Sequence, residues 1–136
     1  MDELQNGLKN KVICITGARG YIGSSLVSEL KKYSVKKVIR ISRKKLITLN
    51  DVEDWVLDLE DFNSWLKIVK KSDIIFHLSG NTSIAVAEND PEKTLISEVL
   101  PIKNLVKASK ELLRKPRVIY TSTATIYGLT QNLPVI

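Results

Sequence analysis

Apolar positions along this chain fall alternately into two periods. Val12-Ile-Cys-Ile is a short, largely β-branched run ending at Thr16, and Tyr21 to about Lys32 follows with Ile22, Leu26, Leu30 and Tyr33 at helical spacing. Val38-Ile-Arg-Ile is a second run of strand type. A strand, a helix and a strand within roughly thirty residues predict a βαβ unit, with parallel strands and a right-handed crossover. Trp55-Val-Leu-Asp-Leu reads as a third strand, and Asp73-Ile-Ile-Phe-His-Leu, apolar almost throughout, as a fourth with helices on both faces. Between them Phe62, Trp65, Leu66 and Val69 mark a helical face behind Asp61, a capping residue. Asn81 to Asn89 reads as a loop. Asp90-Pro91 starts a long helix whose apolar period, from Leu95 to Leu113, lasts almost to Arg114. Pro101 falls inside it; the missing N–H and the crowded Ser97 carbonyl predict a kink or a break into two helices. Arg117-Val-Ile-Tyr-Thr-Ser is a fifth strand, and Ala124 to Ile136 reads as an irregular tail.

Five strands alternating with helices predict an α/β domain, a doubly wound parallel sheet in the order 3-2-1-4-5. Ligands of such sheets bind outside the carboxyl ends of the strands, between strands 1 and 4. Ser42, Asp58, His77 to Gly80, and Ser122 to Thr123 all fall on that edge, beside the turn that follows the first strand. That turn carries Gly17, Gly20 and Gly23 at three-residue spacing. Glycines let the backbone take a positive φ and approach a ligand closely, and the next helix presents unpaired N–H groups and a partial positive charge. A pyrophosphate suits such a turn. The plainer alternative is a turn that merely packs helix on strand.

At 136 residues and 43% hydrophobic content the chain reads as a single domain, burying roughly two thirds of its unfolded surface. The first residues, Met1-Asp-Glu-Leu-Gln-Asn-Gly, carry no targeting pattern, and no apolar run approaches the ~20 residues of a membrane span. A cytoplasmic protein that does not enter the membrane is expected. The single cysteine, Cys14, falls in the first strand as a small buried hydrophobe, with no disulfide and no metal cluster in view. The net charge of +6 comes from basic runs at Lys31-Lys32, Lys36-Lys37, Arg43-Lys44-Lys45, Lys70-Lys71 and Arg114 to Arg117. They look scattered over helix ends and loops without aromatic interleaving, which favours solvated surface over nucleic-acid binding. The lone histidine, His77, has no evident acid/base partner or metal co-ligand and reads as structural.

Four blocks stand in order at strand ends: Thr16-Gly-Ala-Arg-Gly-Tyr-Ile-Gly, Asp58-Leu59, His77-Leu-Ser-Gly, and Thr121-Ser-Thr-Ala-Thr-Ile-Tyr-Gly. From Val12 to Gly128 the chain resembles the extended short-chain dehydrogenase/reductase family, the NAD(P)-dependent epimerases and dehydratases of nucleotide sugars. The resemblance implies a Rossmann fold. It implies that Gly17, Gly20 and Gly23, with the backbone of Arg19, Tyr21 and Ile22, cradle the cofactor pyrophosphate. Asp58 would accept from the adenine amino group beside the Leu59 backbone, and Leu78, Ser79 and Gly80 would line the cofactor. As plainer alternatives, Asp58 caps a turn and Ser79-Gly80 is a tight strand exit. At the end of strand 2 an acid would bind the ribose hydroxyls of NAD, whereas Ser42-Arg43-Lys44 offers charge-assisted contacts to the extra phosphate of NADP. NADP is therefore favoured, with NAD as the alternative.

Thr123 stands where the family places the Ser/Thr that hydrogen-bonds the reacting sugar hydroxyl or keto group, which makes it the catalytic candidate; otherwise it is a threonine at a strand end. Its segment resembles the epimerases. The 4,6-dehydratases would have an Asp-Glu pair where this chain has Ala124 and Thr125. The family's Tyr-x-x-x-Lys pair is not at the expected place; the one match, Tyr33 and Lys37, follows a helix running about 18 Å at 1.5 Å per residue away from the cofactor edge. Glu98 and Pro101 also depart from the family's usual Asn and Gly. Residues 1–136 are thus expected to be an incomplete NAD(P)-binding domain without the C-terminal substrate-binding region, binding cofactor without turnover; a nucleotide sugar would be the substrate of the full-length enzyme. The resemblance leaves a homodimer open, through two helices flanking strand 5 of which one is present. The open edge at strand 5 predicts self-association or marginal stability. A non-catalytic NAD(P)-binding sensor is the alternative from another class.

Overall fold

Five parallel strands form one sheet in the order β3-β2-β1-β4-β5. The computed structural model describes residues 3–47, 49–80, 83–123 and 128. In chain order the elements are α1 (Glu3–Leu8), β1 (Val12–Thr16), α2 (Tyr21–Leu30), β2 (Lys37–Ser42), β3 (Val52–Val56), α3 (Phe62–Lys71), β4 (Ile74–His77), α4 (Ile84–Asn89), α5 (Pro91–Glu111) and β5 (Arg117–Tyr120). The predicted tail from Ala124 lies outside the described residues except for Gly128.

The strands alternate sides as the β period requires, and both faces of the sheet are apolar. Cys14, Ile39, Ile41 and Ile75 pack with Trp65, Ile68 and Val69 of α3 and Leu105 and Ala108 of α5. On the other face Ile13, Ile15, Val38 and Ile74 pack with Val27 and Leu30 of α2 and Leu8 of α1. Cys14 is buried, its thiol pushed up to about 11 by desolvation, so it serves as packing.

Four features depart from the sequence reading. α1 is an extra helix, too short for its apolar period to register, anchored by Leu8. β3 spans Val52–Val56 rather than starting at Trp55: the charged Glu53 and Asp54 belong to the strand because Lys37 and Arg40 of β2 pair with them. Residues 84–89, read as loop, form α4, with Ser83 as its N-cap accepting from Val86 N. α5 continues through Pro101 without a break. A mid-helix proline costs about 3 kcal/mol, and here Pro101 is buried and the helix is held along α3, so tertiary packing overrides the local penalty.

The basic runs are not scattered. α2, α3 and α5 end, and β2 and β5 begin, at the amino edge of the sheet, so Lys31-Lys32, Lys36-Lys37, Lys70-Lys71 and Arg114 to Arg117 converge there. Helix C-termini favour cations, which accounts for much of this. Arg43-Lys44-Lys45, following β2, is the basic run on the carboxyl edge.

Candidate functional site

At the carboxyl edge the crossovers leave β1 and β4 in opposite directions, opening a groove of about 1130 Å³. Its floor is the turn after β1. Gly17 has φ +67°, and a Cβ there would stand 2.7 Å from the main chain of Leu78 and Ser79, so the position excludes any side chain. Gly17 O accepts from Gly20 N at 2.9 Å and closes the turn. Gly23, in the first turn of α2, lets that helix lie on the loop: a Cβ would stand 2.3 Å from Gly17 O. Gly20 is the N-cap of α2 and offers no capping side chain. The N–H groups of Tyr21, Ile22 and Gly23 accordingly find no partner among the described residues.

A hydroxyl cluster fixes the far side of this turn. Thr16 Oγ1 lies 2.7 Å from His77 Nδ1 and accepts from Leu78 N at 3.2 Å, Ser79 N at 3.3 Å and Ser79 Oγ at 3.0 Å. These contacts join the exits of β1 and β4 through one hydroxyl. Burial pushes the His77 pKa down to about 4, so the ring is neutral at pH 7. It lies edge-on to Trp65 and stacked on Tyr120, in the structural role read from the sequence.

The walls come from other strand ends. Ser42 ends β2 and Arg43 and Lys44 follow it, the serine hydroxyl donating to the Lys44 carbonyl. Asp58, Leu59 and Glu60 follow β3. Asp58 Oδ1 accepts from Glu60 N at 3.0 Å, so this carboxylate does cap its own turn, with acceptor capacity left over. Trp65 Nε1 donates to Leu59 O at 2.8 Å and Asn104 Nδ2 to Glu60 O at 3.0 Å, tying that loop to α3 and α5. Lys93, Thr94, Ser97 and Glu98 of α5 close the opposite wall, and Gly80 faces Glu98: a Cβ on it would meet Glu98 Oε2 at 2.9 Å.

The groove thus gathers Gly17, Arg19, Gly20, Ser42, Arg43, Lys44, Asp58, Leu59, Leu78, Ser79 and Gly80 of the expected set. Gly23 packs beneath it. The Tyr21 and Ile22 side chains face outward, 91% and 61% exposed, so only their main chain can serve the turn. Thr123 follows β5 and does not line the groove. Tyr33 and Lys37 sit at the amino edge, as expected. Val86, Asn89 and Lys93 line the groove unanticipated, because α4 was read as loop and α5 only as a core helix. Trp65 and Asn104 were seen as core and not at all; a polar Asn on the buried face of an amphipathic helix was the available signal for the second.

Residues 13–135 match the family described as NAD dependent epimerase/dehydratase. The UDP-glucose 4-epimerase of Mycoplasma genitalium is 27% identical over 135 residues, which are 93% of this chain and 39% of that protein. An anthocyanidin reductase of Vitis vinifera is 30% identical over 138 residues, 93% of this chain and 40% of the reductase. Among solved structures, the UDP-N-acetylglucosamine 4-epimerase from Methanobrevibacter ruminantium M1, in complex with UDP-N-acetylmuramic acid, is similar with a TM-score of 0.78 at 28% identity, over 94% of this chain and 43% of its own. The chain therefore spans about two fifths of the length of the curated relatives it matches. With a match covering nearly all its residues and a five-stranded sheet whose glycine turn opens onto the switch-point groove, the chain belongs to the NAD dependent epimerase/dehydratase family.

Proposed function

We propose that the groove binds NADP(H), with NAD(H) as the weaker ligand, and that the chain is the dinucleotide-binding portion of a nucleotide-sugar epimerase or a related reductase. The observation that carries this is the turn at Gly17. It offers bare main chain, three N–H groups unpaired among the described residues and the positive end of α2 in one corner, where a Cβ would fill the space. The residues present fit a dinucleotide: Gly17 to Gly23 would hold the diphosphate, Asp58 and the Leu59 main chain the adenine, Leu78 to Gly80 the ribose and phosphates, and Ser42, Arg43 and Lys44 the extra phosphate. The nicotinamide, when bound, would supply hydride transfer at a sugar carbon.

The chain's own groups account for binding and little more. Thr16 and neutral His77 hold the β4 exit rigid, and the Leu59 loop is tied down by Trp65 and Asn104. Thr123 is the group we assign to the reacting hydroxyl or keto group. Among the described residues no Tyr-x-x-x-Lys pair lies near the groove, since Tyr33 and Lys37 occupy the amino edge. The chain alone is therefore expected to bind without efficient turnover, with a nucleotide sugar as substrate of the full-length enzyme and the cytoplasm as its compartment. No helix among the described residues is long and apolar enough to cross a membrane.

Titration with NADPH and NADH, read by nicotinamide fluorescence, tests the reading. Tighter binding of NADPH supports it; no binding of either sinks it. Arg43→Ala should weaken NADPH roughly tenfold, the worth of one charge-assisted hydrogen bond, and leave NADH nearly unchanged. A sensor without catalysis remains the second reading, favoured by Glu98 facing Gly80 where the family has Asn.

A further inference from the structure

The geometry points to Arg40 as a positioning residue for phosphate selectivity: it holds the segment 43–47 so that Arg43 and Lys44 face the groove. This inference rests on the reading that those two cations meet the extra phosphate of NADP.

Arg40 lies inside β2, directly opposite Asp54 of β3. Its side chain is 9% exposed, and the guanidinium bonds through Nε and Nη2. Nε donates to Asp54 Oδ1 at 2.6 Å, Nη2 to Asp54 Oδ2 at 2.7 Å, and Nη2 again to the carbonyl of Ile47 at 2.7 Å. Arg40 does not line the groove, so it is no phosphate ligand itself. The first two bonds join neighbouring strands, which a pair of apolar side chains would do about as well, since a buried ion pair gives little net stability over such a pair. The third bond is the one an apolar pair cannot make. It ties a loop carbonyl to the sheet, on a segment whose Ile47 side chain is 87% exposed and gives no anchorage of its own.

A second tie lies at the other end, where the Ser42 hydroxyl donates to the Lys44 carbonyl. Arg43 and Lys44 thus stand on main chain hitched to β2 at Lys44 and at Ile47, and Arg43-Lys44-Lys45 is the basic run on the groove's edge of the sheet. Long cationic side chains lose much rotamer freedom on binding a phosphate. Fixing the main chain beneath them removes part of that cost in advance, which favours the ligand carrying the extra phosphate and leaves the other unaffected.

The test uses Arg40→Met/Asp54→Leu, which removes one charge of each sign and keeps the net charge at +6, so a change in phosphate affinity cannot be a change in overall field. The expected result is NADPH binding weakened about tenfold, one charge-assisted hydrogen bond's worth, with NADH within about twofold and trypsin cleavage after residues 43–45 about tenfold faster. Arg40→Lys gives a second variant that keeps the ion pair: a single ammonium cannot fork across the carboxylate and also hold the Ile47 carbonyl, so the same signs are expected. If Arg43→Ala lowers the NADPH-to-NADH affinity ratio while both Arg40 variants leave it unchanged, the positioning role is refuted and the phosphate site stands. If Arg43→Ala leaves the ratio unchanged, the phosphate reading falls and takes this inference with it. Unchanged trypsin cleavage in both Arg40 variants refutes the tie without reference to any cofactor.

Discussion

Gly23→Ala and Gly7→Ala are the same chemical change in two helices, and the structure expects opposite signs. In an exposed helix alanine gains about 1 kcal/mol over glycine from backbone entropy. A Cβ at Gly7 meets nothing within 4 Å, so α1 should gain most of that, about 0.5–1 kcal/mol. A Cβ at Gly23 meets Gly17 O at 2.3 Å and Ala18 Cα at 2.8 Å, both main-chain atoms. Ordinary contact begins at 3.4 Å, so the carbonyl must retreat about 1 Å, and that carbonyl is the one closing the turn with Gly20 N. Overpacking of this kind costs about 1–3 kcal/mol. Set against the propensity gain, the net is a loss of up to about 2 kcal/mol, so the two variants should lie between about 0.5 and 3 kcal/mol apart. Urea unfolding followed by tryptophan fluorescence reports the difference, because Trp65 is buried in the core. The displaced turn should also weaken NADPH binding in Gly23→Ala alone. Midpoints within about 0.5 kcal/mol of each other, well inside the expected propensity range, would refute the reasoning.

The lowered pKa of His77 carries a pH signature. The unfolded ring protonates near 6.5 and the folded one near 4, so stability is full above about pH 6.5 and falls as pH drops toward 4, by at most about 3 kcal/mol. Urea midpoints measured across that window should slope in the wild type and flatten in His77→Gln. Asp61→Ala and Asp90→Ala each remove a helix N-cap, whose oxygens accept from Asn63 N and Lys93 N; each should cost about 1 kcal/mol in the same assay. Raising ionic strength from low to physiological should weaken NADPH binding more than NADH, since Arg43 and Lys44 are exposed and screened by salt.

The sheet order was legible because a glycine turn, β-branched runs and helical spacing agreed with one another from Val12 onward. What failed were places where a tertiary partner overrode a local rule. Glu53 and Asp54 look foreign to a strand until Lys37 and Arg40 stand opposite, and Pro101 looks like a stop until the packing of α5 is known. α4 is shorter than two helical turns, below the length at which spacing shows. At the site, residues within the motif blocks could be named from the chain alone. Those reaching in from elsewhere, Asn104 to the Glu60 carbonyl and Arg40 to the Ile47 carbonyl, could not, because a contact with main chain leaves no trace in its partner's residue type.

The gathering of lysines at the amino edge makes the molecule an electric dipole. Helix starts bring Asp61, Asp90 and Glu92 to the opposite pole, where they offset the cations of Arg43-Lys44-Lys45 beside the groove. On a sulfonate matrix the protein should settle lysine pole down, with the groove turned to the liquid. Bead-bound protein would then take up dinucleotide as readily as protein in free solution, and immobilisation by this face needs no engineered tag.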